Sequence, residues 1–224
     1  MLRPVLPDVL AELESLADPK ALAINRRHGD AHSVNLTKVR GIAKQLGAQP
    51  ELARALWATR QPNARLVALL VARPKQFTVA ELDRWLREAA TNKETDWFVS
   101  YLAAKSRHAE ELRTRWLADP EPRIAAAGWA LTTDRVVKNP EGLDLAALLD
   151  VIEAEMKDAP ERLQWAMNTC LGNIGIEHES YRERVLEIGE RLEVLKNHPT
   201  PGGCISPYVP VWVPEVVQRR TGRA

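Results

Sequence analysis

The chain has 224 residues, of which 45% are hydrophobic and 27% are charged, and its formal net charge is +1. At roughly 100–200 residues per domain this length suits one domain or two small ones, and the hydrophobic content excludes wholesale disorder. The longest apolar run, residues 66–72, is far shorter than the ~20 residues of a membrane span. The N-terminus leads into an acidic stretch rather than an apolar signal core, so we expect a cytoplasmic protein without a membrane partner.

Apolar residues recur at helical spacing along most of the chain. In the first clear helix Leu36, Val39 and Ile42 share one face, and Gly47 follows as a C-terminal cap. Further helices are predicted from residue 52, over residues 65–73, after a capping box formed by Thr78 and Glu81, after a cap at Thr95, near 112–116, over 124–131, 145–156 and 163–174, and near 185–192. The sequence therefore predicts an all-α protein.

Large apolar residues mark the first helix of successive helix pairs. They are Trp57, Trp85, Trp116 and Ile152, at spacings of 28, 31 and 36 residues. Such spacings are typical of two-helix repeats. We predict a curved α-solenoid of HEAT-like repeats with an extended concave surface, and an ordinary helical bundle is the alternative.

The last residues differ in composition from the rest. Residues 207–214 read PYVPVWVP, which contains too many prolines for a central strand. We expect a single helical repeat domain over residues 1–200 and a proline-rich extended tail over residues 201–224. Tyr208 and Trp212 are expected to hold this tail against the last repeat, since exposed aromatics of that size would form a sticky patch.

Charge is segregated along the chain although the total is near zero. Residues 20–75 hold eleven basic residues against only Asp30 and Glu51, whereas residues 141–161 hold seven acidic residues against Lys157. A polyanion responds to the local field, so this segregation is compatible with nucleic-acid binding. The alternative is that these charges only solvate helix faces.

Sequence-local signs of a catalytic centre are weak. The five histidines are scattered, no glycine-rich phosphate loop is present, and Cys170 lies in an apolar helix as a small core residue. We therefore expect no metal and no cofactor. Most tryptophans occupy apolar helical positions, but Trp97 and Trp165 stand near helix starts, where an aromatic ring can face a groove and stack on a base.

Several segments resemble the DNA alkylation repair glycosylases of the AlkD/AlkC type. These are KVRGIAK at residues 38–44, ELARALW at 51–57, ARLVA at 64–68, MNTCLGNIGI at 167–176 and GCISPYVPVWV at 203–213. The likeness covers roughly residues 33–215. It implies HEAT-like repeats that cradle duplex DNA on a basic concave face and release alkylpurines. In that family the active cleft contains an Asp, two Trp and an Arg.

These cleft residues are mostly missing from the matching positions. One register places Asp96 at the first Trp and Ser100 at the Asp, and a shift by one places Trp97 and Tyr101 there. The family's Arg falls near Ala125, with Arg123 two residues earlier. Its second Trp falls near Thr169, with Trp165 one turn away. Asp96 and Trp97 are therefore the only catalytic candidates.

We thus expect a monomeric DNA-binding relative of these glycosylases, in the nucleoid of a bacterial cytoplasm. Its partner would be duplex DNA, alkylated or not, and base excision would be weak or absent, so whether it is an enzyme stays open. Two alternatives are an active alkylpurine glycosylase with relocated catalytic residues and a protein-interaction scaffold. The predicted DNA-binding residues are Lys38, Arg40, Lys44, Arg73, Lys75, Lys93, Lys105, Arg107, Arg135 and Lys138.

Overall fold

The structure is a computed structural model that describes residues 5–222. Within that range the chain forms helices and no strands, as predicted. The α-helices are α1 Leu6–Ser15, α2 Pro19–Arg27, α3 Leu36–Leu46, α4 Pro50–Ala58, α5 Pro62–Val71, α6 Val79–Glu88, α7 Asn92–Trp97, α8 Ala109–Leu117, α9 Pro122–Lys138, α10 Leu145–Glu155, α11 Glu161–Glu177, α12 Arg182–Leu192 and α13 Val209–Thr221. Short 3-10 turns cover Pro74–Gln76, Ala103–Lys105, Met156–Asp158 and Glu179–Tyr181, and Phe98–Leu102 is π-helical.

Over residues 5–222 we find no helix with the length and apolarity that a bilayer crossing requires.

The chain divides into two compact units, with the boundary between Leu112 and Arg113. In the first unit α5 is the central helix and packs against α1, α3, α4 and α7. Seven of its ten residues are buried, which explains its nearly continuous apolar sequence. The predicted anchors Trp57 and Trp85 are 2% exposed, as core residues should be.

In the second unit α11 is the central helix and packs against α9, α10, α12 and α13. Trp116 and Ile152, the other predicted anchors, are fully buried. Gly128 on α9 is needed for close packing, because a Cβ atom there would lie 2.5 Å from the backbone nitrogen of Leu117. The prediction of one repeat domain over residues 1–200 stays a prediction.

The C-terminal segment is helical where the sequence predicted an extended tail. Pro210 is the second residue of α13, where a backbone N–H has no partner within the helix, and Pro214 is accommodated inside it. Val209 and Val213, four residues apart, are buried on one face. Trp212 packs on Gly172 of α11 so closely that a Cβ atom there would lie 2.2 Å from the indole. The burial of this face stabilises the helix despite its prolines, and the expected contact of Trp212 with the last repeat is confirmed.

The start of α7 also differs from the sequence prediction. Thr95 was expected to cap this helix, but the cap is Thr91, whose hydroxyl accepts a hydrogen bond of 3.2 Å from the backbone nitrogen of Glu94. Thr95 is buried one turn further on and donates to the Thr91 carbonyl at 3.1 Å. Both residues have the right chemistry for a cap, so the sequence alone did not distinguish them, and α7 begins about one turn earlier than expected.

Candidate nucleic-acid interface

A row of two aromatic rings with a cation at each end lies on the first unit. The guanidinium carbon of Arg40, on α3, lies 4.7 Å from the ring centroid of Trp97, on α7. The Trp97 ring meets that of Tyr101 edge to face at 5.3 Å, and the Lys105 ammonium lies 5.2 Å from the Tyr101 centroid. We call Arg40, Trp97, Tyr101 and Lys105 the cation–π row. Sequence analysis proposed Arg40, Trp97 and Lys105 as site residues and named Tyr101 only in the family register, and it predicted none of the contacts between them.

The backbone conformation after Trp97 aligns the two aromatic rings. Residues Phe98–Leu102 form a π-helical turn, in which more residues complete each turn than in an α-helix. Side chains four apart, such as Trp97 and Tyr101, therefore come closer to one line along the helix. Such turns are frequent at functional sites. The extra residue per turn also means that an α-helical register cannot be carried through residues 93–101.

The two catalytic candidates do not form a cleft together. Trp97 is only 7% exposed and has Arg40 over its ring, whereas the adjacent Asp96 is exposed. Sequence neighbours on a helix point in different directions, so Asp96 does not share the face of Trp97. An indole already covered by a guanidinium is poorly placed to stabilise a second cation, such as the oxocarbenium-like sugar of glycosidic bond cleavage.

More predicted cations lie near the row in the first unit. The 3-10 turn Pro74–Gln76 packs beside the turn Ala103–Lys105, which brings the segment of Arg73 and Lys75 next to Lys105. Within residues 5–222 none of the following forms an ion pair: Lys38, Arg40, Lys44, Arg73, Lys75, Lys93 and Lys105. All except Lys93 are exposed to solvent. These unpaired charges are available to an external anion.

The remaining predicted cations make local contacts. Arg107 lies within 3.2 Å of the neighbouring His108 ring nitrogen. In the second unit the Arg135 guanidinium donates to the carbonyls of Asn139 and Glu141, and Lys138 pairs with Asp134 one turn earlier on α9. Arg135 and Lys138 thus support the end of α9, and their role in DNA binding stays a prediction.

Sequence analysis missed a second aromatic and cationic cluster in the first unit. The indoles of Trp57 and Trp85 stack in parallel with centroids 4.5 Å apart, and the Arg65 guanidinium covers Trp57 at 4.5 Å. Phe77 meets Trp85 edge-on at 4.9 Å, and Arg54 lies 4.8 Å from the Phe77 centroid. The signal that could have revealed this cluster is Arg65 itself, a charged residue inside the apolar run of α5.

Acidic side chains fix the two inner arginines of this cluster. The buried Arg65 pairs with Glu94 at 3.0 Å, and Arg54 pairs with Glu81 at 3.0 Å. Partial burial acts to raise the pKa of Glu81, but hydrogen bonds from Thr78 and Arg54 outweigh it and hold the pKa below its usual value. The Glu81 carboxylate is therefore an ionised partner of Arg54 at neutral pH.

In the second unit a small apolar pocket lies beside α11. It has a volume of about 280 Å³ and is lined mainly by Trp165, Asn168, Pro207 and Trp212. Trp165 is 37% exposed, as its position near a helix start suggested, and its ring meets His198 edge-on at 5.1 Å. This pocket holds no charged residue.

The described residues offer no obvious nucleophile or metal site. Burial raises the pKa of Cys170 to about 12, so its thiol stays protonated and acts as a core residue, as predicted. Between residues 5 and 222 no three metal-ligating side chains of the His, Cys, Asp or Glu type come together. What the first unit does offer is a row of unpaired cations next to aromatic rings, which suits a polyanion with planar bases.

Comparisons with known proteins found one family model and one solved structure that match this chain. A family model described as "DNA alkylation repair enzyme" matches residues 9–195. One solved structure is described as "A new family of proteins related to the HEAT-like repeat DNA glycosylases with affinity for branched DNA structures". It has a TM-score of 0.79 to this chain at 22% identity, over 98% of this chain and 95% of that chain. This likeness confirms the predicted HEAT-like repeat fold. No curated protein matched the sequence.

Proposed function

Because the chain belongs to the DNA alkylation repair enzyme family, we propose that it binds DNA through the cation–π row and the unpaired cations around it, with little or no base excision. The observation that carries this proposal is the row itself, in which Arg40 and Lys105 lie at either end of the ring pair Trp97 and Tyr101. Its charged groups suit phosphates, and the half-buried ring of Tyr101 suits a sugar or an exposed base.

Charge and exposure support the same proposal. Six of the predicted DNA-binding lysines and arginines in the first unit are exposed and unpaired, and a flexible exposed cation binds a phosphate without first losing an internal partner. The resulting affinity would depend on DNA shape rather than base sequence, since such contacts carry no direct sequence information. The solved relative is described as having affinity for branched DNA structures, and we extend that preference to this chain.

The position of Asp96 supports weak or absent excision. Alkylpurine release requires a carboxylate and aromatic rings around a cationic sugar, but the Trp97 ring is occupied by Arg40 and Asp96 lies off its face. The arrangement therefore favours recognition of DNA over hydrolysis of its glycosidic bonds.

Binding and base release can be measured on the same samples. We would titrate the protein against a fluorescent linear duplex and a four-way junction, each with and without one 7-methylguanine, at two salt concentrations. The expected result is binding that weakens as salt rises, is tighter for the junction, and releases no free base above the spontaneous rate. Base release by the wild type that Asp96→Asn abolishes would establish the glycosylase alternative instead. Absence of binding at low salt would favour a protein partner.

A further inference from the structure

A second cationic site lies in the first unit, formed by helices that do not carry the cation–π row. It is a pocket of about 400 Å³ between α4 and α6, whereas the row is built on α3, α7 and the two turns that follow α7. Four arginines and a single glutamate, Glu88, line it together with Trp57 and Trp85. The arginines are Arg54, Arg60, Arg65 and Arg84.

Two of these arginines are already neutralised and form the inner wall. Arg65 pairs with Glu94 and also donates to the Glu88 carbonyl at 2.7 Å, and Arg54 pairs with Glu81. They hold the stacked indoles in place, and the indoles are only 2% exposed. The pocket therefore has an aromatic wall but no open ring face on which a base could stack.

The other two arginines retain charge for a ligand. Arg60 is exposed and forms no ion pair within residues 5–222. Arg84 approaches Glu88 only at 3.8 Å, with 60% of its side chain exposed. Glu88 balances only one of these two charges, since its Oε1 faces Arg84 while its Oε2 accepts a hydrogen bond of 2.7 Å from the Trp57 indole nitrogen. The pocket thus has more positive than negative charge at its mouth.

The backbone at Arg60 is unusual for an arginine. Its φ is +59°, in the left-handed region that glycine or asparagine normally occupies at the end of a helix. Strained conformations of this kind tend to persist at ligand sites, where the surroundings fix them. This turn places Arg60 among the residues that line the pocket, together with Arg84 of α6.

We propose that this arginine pocket binds a phosphate group, and that DNA bound by the chain supplies it. Guanidinium groups are the side chains best suited to a phosphate, since they donate several hydrogen bonds in one plane. The source of the phosphate rests on the proposed function, whereas the pocket's affinity for phosphate does not. Because the pocket and the row belong to different helices, the DNA would touch the first unit at two places.

The pocket can be tested first with inorganic phosphate alone. At constant ionic strength, phosphate should shift the NMR signals of the Trp57 and Trp85 indole N–H groups in the wild type but not in Arg60→Gly. Glycine suits the positive φ at this position, so this variant removes the guanidinium without endangering the fold. Lys157→Ala, in the second unit, removes the same charge far along the sequence and should respond like the wild type.

The same variants identify the source of the phosphate on linear duplex and four-way junction. For Arg60→Gly we expect weaker binding and a salt slope, log K against log salt concentration, that is smaller by about 0.9, as for one lost phosphate contact. Lys157→Ala should match the wild type. Weaker binding of Arg60→Gly to either DNA supports the proposal. If only binding to the junction weakens, the phosphate contacted by Arg60 lies on an additional arm of the junction.

Two results would overturn the proposal in distinguishable ways. Unchanged indole signals with phosphate, together with equal binding by Arg60→Gly and Lys157→Ala, would remove the site while leaving DNA binding intact. Phosphate-dependent shifts without any effect on DNA binding would overturn the DNA source and leave a site for a free phosphate compound. A wild type that binds no DNA would instead contradict the proposed function itself.

Discussion

The guanidinium of Arg65 and the carboxylate of Glu94 form an ion pair of 3.0 Å in which the side chains are only 4% and 1% exposed. The carboxylate also accepts a hydrogen bond of 2.7 Å from the backbone nitrogen of Ala90, so it ties the start of α7 to α5. The Arg65 guanidinium in turn covers the Trp57 indole. This buried pair therefore joins the arginine pocket to the helix that carries Trp97.

Removing the charge of Glu94 should destabilise the protein strongly. In Glu94→Gln the buried Arg65 keeps its charge without a countercharge, which typically costs about 3–5 kcal/mol. The free energy of unfolding from urea titration measures this loss. As a control, Glu215→Gln breaks an exposed pair with Arg219 on α13 and should cost less than about 1 kcal/mol. Equal effects in the two variants would contradict the structural role of the buried pair.

Docking of the last helix should depend on the absence of a side chain at Gly172. A methyl group there would collide with the Trp212 indole, so Gly172→Ala should lower the free energy of unfolding by about 1–3 kcal/mol. It should also speed proteolysis before α13. Gly41→Ala is the matched control, since a methyl group on that exposed helical position meets nothing within 4 Å. That control should be neutral or stabilising; the same loss in both variants would refute the docking.

Stability should fall as pH drops from 7 to 5 because of His32. Burial lowers the pKa of this imidazole, an effect that Asp30 opposes and Lys93 reinforces. Since the unfolded chain then binds the proton more readily, folding is favoured above the ordinary pKa of about 6.5 and this contribution is lost below it. Thermal melts of His32→Gln should show a shallower decline over this range than the wild type. The melting temperature of His28→Gln, a change at an exposed position, should decline with falling pH as that of the wild type does. If the wild type and both variants lose stability with the same slope, His32 is not the cause.

The helices and the individual cations were predictable because their signals are local. The capping box of Thr78 and Glu81 forms as expected, and the periodic spacing of apolar residues locates the buried faces. The exposed state of Lys44 follows from the same periodicity, since it falls on the far side of α3 from Val39 and Ile42, and the exposed Lys38 and Arg40 flank the buried face.

The contacts that define the candidate site were not predictable from one sequence. Arg40 lies over Trp97 because α3 and α7 both pack against α5, and no local pattern encodes that neighbourhood. The π-helical turn after Trp97 depends on tertiary packing, so a uniform α-helical register could not align this segment with a family motif. In the tail, prolines argued for an extended chain, whereas packing of Trp212 on Gly172 favours a helix.

The measurement that tests the central claim most directly is DNA binding by a charge-reversed cation–π row. Arg40→Glu and Lys105→Glu, singly and together, would be titrated against a fluorescent four-way junction beside Lys157→Glu, which matches each single variant in charge. We predict that the double variant loses most of the binding and the salt slope falls by about 0.9 for each lost phosphate contact, while the control keeps both. Binding by the double variant that equals that of the control would contradict the account.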